Sequence, residues 1–393
     1  MTYKTVTLKR GKEDSLQRFH PWVFSGAIAA ADDTIDEGDL VTVYAHDGTL
    51  IGNGHSQIGS IAVRMLTFDD TAIDEAFYEQ RLNDAYRMRQ SLGLQRENNN
   101  AYRLVHGEGD FLPGLVVDIY GPTAVMQAHS PGMHFARNII AQALVKLPGV
   151  RNVYYKSETT LPYKAHLDPV NDYIIGHMET DEALENGLRF HVDWLKGQKT
   201  GFFVDQRENR RLLEQYSRGR KVLNMFCYTG GFSVYALRGG AQLVHSVDSS
   251  AKAVRLTDDN VALNFAPEDG RHKSFAEDAF KFLDNMEKDA YDLIILDPPA
   301  FAKHKSALRN ALVGYRRLNA KALEKIAPGS ILFTFSCSQA VNKDQFRLAV
   351  FSAAAQTRRK VRILHQLTQP ADHPINIYHP EGEYLKGLVL YVE

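Results

Sequence analysis

The chain has 393 residues, 44% hydrophobic and 24% charged, which is long enough for two or three cored domains and excludes a disordered or fibrous protein. A net charge of −1 carries no overall signature of a nucleic-acid binder, and two cysteines outside any CxxC pair exclude a disulfide framework and point to no metal site. The start has no run of signal-peptide length and no stretch nears the ~20 apolar residues of a membrane span, so a cytoplasmic protein without a membrane partner is expected.

Residues 1–70 contain short β-like runs (KTVTL, DLVTVYA, LIGNGHS, IAVRMLTF) between turn signals, predicting a small β domain. Its first turn is basic, with Lys9, Arg10 and Lys12, and Trp22 is expected in its core. Over 71–100, Ile73, Phe77, Leu82, Tyr86 and Leu92 recur at helical intervals and predict a connecting helix. Residues 101–180 read as strands (YRLVHG, LVVDIY, TAVMQA, VRNVYYKS) with a helix from about 133 to 147, an α+β central domain.

From 181 to 393, ALENGLRFHVDW has the Asn-Gly turn of a hairpin. Strands (KVLNMF, LVHSVD, YDLIILD, SILFTFS) then alternate with helices predicted at 205–218, 231–239, 251–264 and 306–327, and VRILHQL and YLKGLVLYVE close one edge. Continuous apolar strands between helices indicate an α/β, Rossmann-like parallel sheet covered on both faces.

Such sheets bind ligands beyond the carboxyl ends of their strands. The first strand ends in NMFCYTGGF, where Thr229-Gly230-Gly231 allows a tight turn and a close approach to a ligand. The second ends in VDSS, where Asp248 can accept both hydroxyls of a ribose. Asp278 follows the expected third strand, and the fourth ends in LDPPAF, whose two prolines set a rigid extended loop suited to holding a flat ring. Because GxGxxG is absent, a nicotinamide site is disfavoured, and GQKTG lacks the spacing of a phosphate-binding loop. FTFSCS ends the fifth strand beside the fourth, so Cys337 is expected to open onto the crevice at Asp297-Pro298-Pro299, either as a nucleophile or as a small buried hydrophobe. Cys227, within the glycine turn, reads as lining.

These motifs, in this order, resemble class I S-adenosylmethionine-dependent methyltransferases. More closely, HPWVFSGAI, RLVHGEGDFLPGLVVDIYG, GQKTGFFVDQRENR, NMFCYTGGFSVYAL, VDSS, LDPPAF and FSCS resemble the RlmI-type 23S ribosomal RNA cytosine-5 methyltransferases along nearly the whole chain. The resemblance implies an N-terminal RNA-binding PUA domain, a central α+β domain and a Rossmann-like catalytic domain that uses S-adenosyl-L-methionine. It implies cofactor contacts from Gln206, Arg207, Asn224, Phe226, Tyr228, Thr229, Gly230, Gly231, Asp248, Ser249, Asp278, Asp297 and Pro298. It also implies that Cys337 is the nucleophile, and Asp297 is the candidate for assisting proton removal. Ala300 stands where many other RNA cytosine-5 methyltransferases carry a second cysteine, which argues against a two-cysteine release mechanism.

The expected partner is 23S ribosomal RNA or a large-subunit assembly intermediate. Lys9, Arg10, Lys12, Phe301, Lys303 and Lys305 are the candidate RNA contacts, the last three opening a stretch, 301–323, without Asp or Glu. Phe301 could stack on a flipped base. Methylation of a ring or exocyclic nitrogen, for which Asp-Pro-Pro-aromatic motifs also serve, and a non-catalytic RNA-binding assembly factor remain the alternatives. The oligomeric state, a homodimer included, is left open.

Overall fold

A computed structural model describes residues 3–162, 167–302 and 304–393. They form two compact units, the first of residues 1–187, 192–204 and 371–382, the second of residues 188–191, 205–370 and 383–393. The strands on either side of the predicted hairpin turn, Glu182–Glu185 and Leu188–His191, are present, and Asn186 and Gly187 take the positive φ (50° and 82°) that the turn requires.

In unit 1, alternating apolar residues fold residues 4–65 into a six-stranded sheet. Its order is Trp22–Phe24, Ile61–Met65, Leu50–Ser56, Leu40–Tyr44, Lys4–Leu8, Ile28–Ala31. Val6, Leu8, Val41, Val43, Val63 and Met65 meet in its core. Trp22 departs from the expected core role: it is half-buried, its indole N–H donates to Glu108 Oε1 (2.9 Å), and Arg64 lies over its ring (5.4 Å). An indole N–H taken from water needs an acceptor, so this ring sits where a carboxylate can reach it.

The connecting helix runs Glu75–Ser91, started by Asp74, whose side chain accepts from Phe77 N–H (3.0 Å). Phe77, Tyr78, Leu82 and Ala85 pack in one core with Leu104, Val117 and Met126 of a five-stranded sheet. That sheet runs Asn171–Ile175, Asn152–Lys156, Thr123–Ala128, Leu115–Tyr120, Ala101–His106. The helix expected over about 133–147 divides into Pro131–Phe135 and Arg137–Leu144.

Residues 371–382 return to this unit far from their neighbours in sequence. Gly109 is required there, because a Cβ would lie 2.0 Å from the Pro374 carbonyl oxygen. Arg89, fully buried, joins three segments: it pairs through both terminal nitrogens with Asp110, donates Nε–H to the Arg103 carbonyl (2.9 Å) and donates Nη2–H to the Asp372 carbonyl (2.8 Å). Removing one partner of a buried ion pair strands the other. Asp110→Ala is therefore expected to cost about 3–5 kcal/mol in equilibrium unfolding, and an apolar replacement of both partners much less. Equal losses in the single and double variants would refute this coupling.

Unit 2 is built on seven strands, numbered here from the first of its sheet: β1 Lys221–Met225, β2 Leu243–Asp248, β3 His272–Ala276, β4 Leu293–Leu296, β5 Ser330–Ser336, β6 Val361–Thr368 and β7 Lys386–Val392. Their order is β3-β2-β1-β4-β5-β7-β6. β1 to β5 run parallel, while β7 is antiparallel to both β5 and β6. Its helices are α1 Arg207–Tyr216, α2 Gly231–Arg238, α3 Ala251–Ala262, α4 Ala279–Asn285, α5 Leu308–Lys325 and α6 Lys343–Thr357. One core packs Leu223, Leu296, Leu332, Tyr315 and Phe346, and another packs Val222, Ile295, Phe333, Phe232 and Leu213. The sheet is thus covered on both faces, as its continuously apolar strands require. The sequence reading did not single out α6, although its capping box, Asn342 with Gln345, is a local start signal.

A candidate cofactor turn beside a strand-end thiol

The reversal of strand order falls between β1 and β4, and the chain is most constrained where β1 ends. Phe226 (φ 59°), Tyr228 (φ 47°) and Gly230 (φ 77°) all lie in the left-handed region within five residues. Two bulky residues there are strained, and such strain persists only where surrounding bonds enforce it. The bonds are specific. Cys227 N–H donates to the Val247 carbonyl (3.0 Å), Tyr228 N–H donates to Asp248 Oδ2 (3.1 Å), Thr257 Oγ1–H donates to the Tyr228 carbonyl (2.9 Å), and Asn260 donates to the Thr229 carbonyl (2.8 Å). At Gly230 a Cβ would lie 2.5 Å from Thr257 Cγ2, so glycine is needed for space as well as for φ. Gly231 then begins α2.

Asp248, half-buried at the end of β2, accepts Tyr228 N–H on one oxygen and Ser250 N–H (2.9 Å) on the other. Each carboxylate oxygen keeps a second lone pair for an incoming hydroxyl. Ser249 beside it is exposed. Asp278 is also exposed and caps α4 by accepting from Lys281 N–H (3.0 Å). Asn224 is buried in β1. Its amide donates to Ser233 Oγ (2.9 Å), within a polar chain continuing to Ser246 and His272, while its Oδ1 is buried without a hydrogen-bond partner among the described residues.

Gln206 and Arg207 are buried at the start of α1, and Gln206 reaches the residue that follows β4. Gln206 Nε2–H donates to Asp297 Oδ2 (3.0 Å), and Asn209 Nδ2–H donates to Gln206 Oε1 (2.6 Å). Asn209, one helical turn after Gln206, was not singled out in sequence. Pro298 is buried after β4, and Cys337 Sγ lies 3.9 Å from its carbonyl oxygen. The expected meeting of the fifth-strand thiol with the Asp-Pro-Pro loop is therefore present. Cys337 is half-buried. Cys227, by contrast, is buried, and burial pushes its thiol up to about 12, which leaves it an inert wall of the turn.

Phe301 is already engaged, its ring 4.7 Å from that of Tyr315. The acid-free stretch it opens is not acid-free in three dimensions, since Lys321 pairs with Asp284 of the preceding helix and Arg317 lies over Phe280 (5.1 Å). Arg309, Arg316 and Arg317 remain exposed, whereas Lys303 and the side chain of Lys305 lie outside the described residues. In unit 1, Lys9, Arg10 and Lys12 are exposed on the turn after the first strand, and Lys9 Nζ donates to the Gly26 carbonyl (3.0 Å).

Comparison with known proteins gives this geometry a family. Residues 156–381 match the model of an S-adenosylmethionine-dependent methyltransferase family, and residues 6–68 match that of a PUA-like domain. The chain is 40% identical over 396 residues to the ribosomal RNA large subunit methyltransferase I of Shewanella denitrificans, covering 98% of this chain and 99% of that one. It is 40% identical over 394 residues to its namesake in Aeromonas hydrophila, covering 98% of each. The chain belongs to the ribosomal RNA large subunit methyltransferase I family. Among solved structures, a protein of Streptococcus mutans described as a SAM-dependent methyltransferase shares the fold (TM-score 0.83, 22% identity, all of both chains). A second structure of equal TM-score and identity was crystallised with SAH.

The cofactor is S-adenosylmethionine. The donor set at the strand ends fits it: Asp248 has lone pairs for two hydroxyls, and Asn224 Oδ1 is a buried acceptor without a hydrogen-bond partner among the described residues. No helix among the described residues is long and apolar enough to cross a membrane.

Proposed function

We propose that this protein is a cytoplasmic enzyme that methylates carbon 5 of a cytosine in large-subunit ribosomal RNA, through a covalent adduct with Cys337. What supports the reading is the adjacency of the Cys337 thiol to the Asp297-Pro298 loop at the strand ends, together with relatives named for ribosomal RNA methylation. In this reading residues 1–70 form an RNA-binding module, 71–100 connect it, 101–180 form the central domain and 181–393 the catalytic domain.

S-adenosylmethionine supplies an electrophilic methyl group on a sulfonium. Asp248 holds its ribose, with Ser249 alongside. Asp278 faces the adenine, and Asn224, Phe226, Tyr228, Thr229, Gly230 and Gly231 line the ribose and methionine. Gln206 and Arg207 reach the methionine end, and Gln206 also fixes Asp297. Carbon 5 of cytosine is a poor nucleophile, so the Cys337 thiolate adds to carbon 6, and the electrons it delivers make carbon 5 enamine-like. Carbon 5 takes the methyl group as the methyl's bond to the sulfonium breaks, leaving a neutral thioether; a base then removes the carbon 5 proton, the carbon 5–carbon 6 double bond re-forms, and the Cys337 thiolate leaves. Asp297 assists that proton removal. A base stacked in a helix must first be extruded, and the exposed cations Lys9, Arg10 and Lys12 contact phosphates.

The decisive experiment is transfer of labelled methyl groups to unmodified large-subunit RNA, with bisulfite mapping of the product. A mapped 5-methylcytosine carries the proposal. A product labelled only on nitrogen, or cofactor binding without transfer, overturns it.

A further inference from the structure

Lys386, the first residue of β7, pairs across the sheet with Ser336, the last residue of β5 and the neighbour of Cys337. The side chain is buried, and its ammonium donates to the carbonyl oxygens of Ser338 (2.6 Å) and Val341 (2.6 Å), both in the loop that follows Cys337. An ammonium has three N–H donors, and these carbonyls occupy two. Among the described residues no carboxylate oxygen is hydrogen-bonded to it. A buried cation hydrogen-bonded to neutral carbonyls is costly unless an anion lies or forms nearby. Burial pulls the Lys386 ammonium down to about 8, and the influence that most opposes this is Cys337, ahead of Glu383.

Tyr315, Asp297 and Glu383, which lie near the thiol or the lysine, bring no positive charge there. Tyr315 of α5 receives the Ser336 hydroxyl, and burial pushes it up to about 12, so it stays neutral. Asp297, after β4, is an acid held by Gln206 and disfavours a second negative charge beside it. Glu383, before β7, pairs with Lys343 of α6.

We infer that Lys386 is a positioning residue for the Cys337 nucleophile: its ammonium ties down the loop over 338–341 and supplies the positive charge that favours the thiolate over the thiol. The inference rests on the proposed function for its catalytic meaning. The thiol proton passes to solvent, and Lys386 keeps its own.

The test is the rate at which iodoacetamide alkylates Cys337 in the full chain, read on the Cys337 peptide by mass spectrometry from neutral to alkaline pH. In the unaltered protein the profile is expected at lower pH than for the same cysteine in the denatured chain. Lys386→Met is expected to slow alkylation at neutral pH roughly tenfold and displace the profile upward, and Lys386→Arg to restore much of it. In methyl transfer Lys386→Met is expected to lower kcat with little change in KM for cofactor or RNA. Identical profiles in native and denatured chains, or in Lys386→Met and the unaltered protein, would overturn the inference. If Lys386→Met does not fold, the native-against-denatured comparison still decides. Full methyl transfer by Cys337→Ala would instead sink the proposed function and leave the alkylation result standing.

Discussion

Cys337→Ala is expected to abolish methyl transfer to ribosomal RNA, by roughly 10⁴-fold or more, while cofactor affinity stays unchanged. Losses of that size follow when a nucleophile is deleted and no other group can take its place. Cys227 cannot substitute, because it is buried beneath α3 with its thiol pushed up to about 12. A second measurement tests the adduct itself. RNA carrying 5-fluorocytidine at the target position should form a denaturation-resistant complex with the unaltered protein and none with Cys337→Ala, since fluorine cannot leave as the proton does. Full activity in Cys337→Ala would move the reaction to a nitrogen, where no thiol is needed.

Asp248→Ala is expected to weaken S-adenosylmethionine binding roughly 100-fold in calorimetric titration. The loss corresponds to about 3 kcal/mol, the scale of two hydrogen bonds to a charged acceptor. Part of the effect is indirect. Asp248 Oδ2 accepts from Tyr228 N–H, one of the bonds that hold the strained turn, so removing the carboxylate also frees the backbone of that turn. Asp248→Asn keeps an acceptor and loses the charge, so it should fall between the two, nearer to tenfold. An unaltered dissociation constant in Asp248→Ala would remove the carboxylate from the cofactor site.

These two residues were legible because strand ends in an α/β sheet are read from local pattern alone: an apolar run, then a residue whose chemistry is out of place in a core. Cys337 after FTFS and Asp248 after HSV both stand out that way. Asn209, Thr257 and Lys386 do not. Each acts through another residue, Asn209 through Gln206, Thr257 through the Tyr228 carbonyl and Lys386 through the loop after Cys337, and a polar residue in a helix or strand carries no local sign of its partner. Similarly, Lys321 in the run of cations at 301–323 looked unopposed because its partner Asp284 lies outside that run.

The sequence by itself determined the alternation of strands and helices, the glycine turn, the acid one strand later and the thiol at the fifth strand end. These follow from the periodicity of burial and from backbone sterics, which act over a few residues. Tertiary structure alone decided that residues 371–382 join the first unit, through the buried Arg89–Asp110 pair and the tight approach at Gly109, and that a lysine near the end of the chain lies beside the loop after the thiol. Such contacts join residues up to 283 positions apart, and only the packed fold determines which buried charges meet.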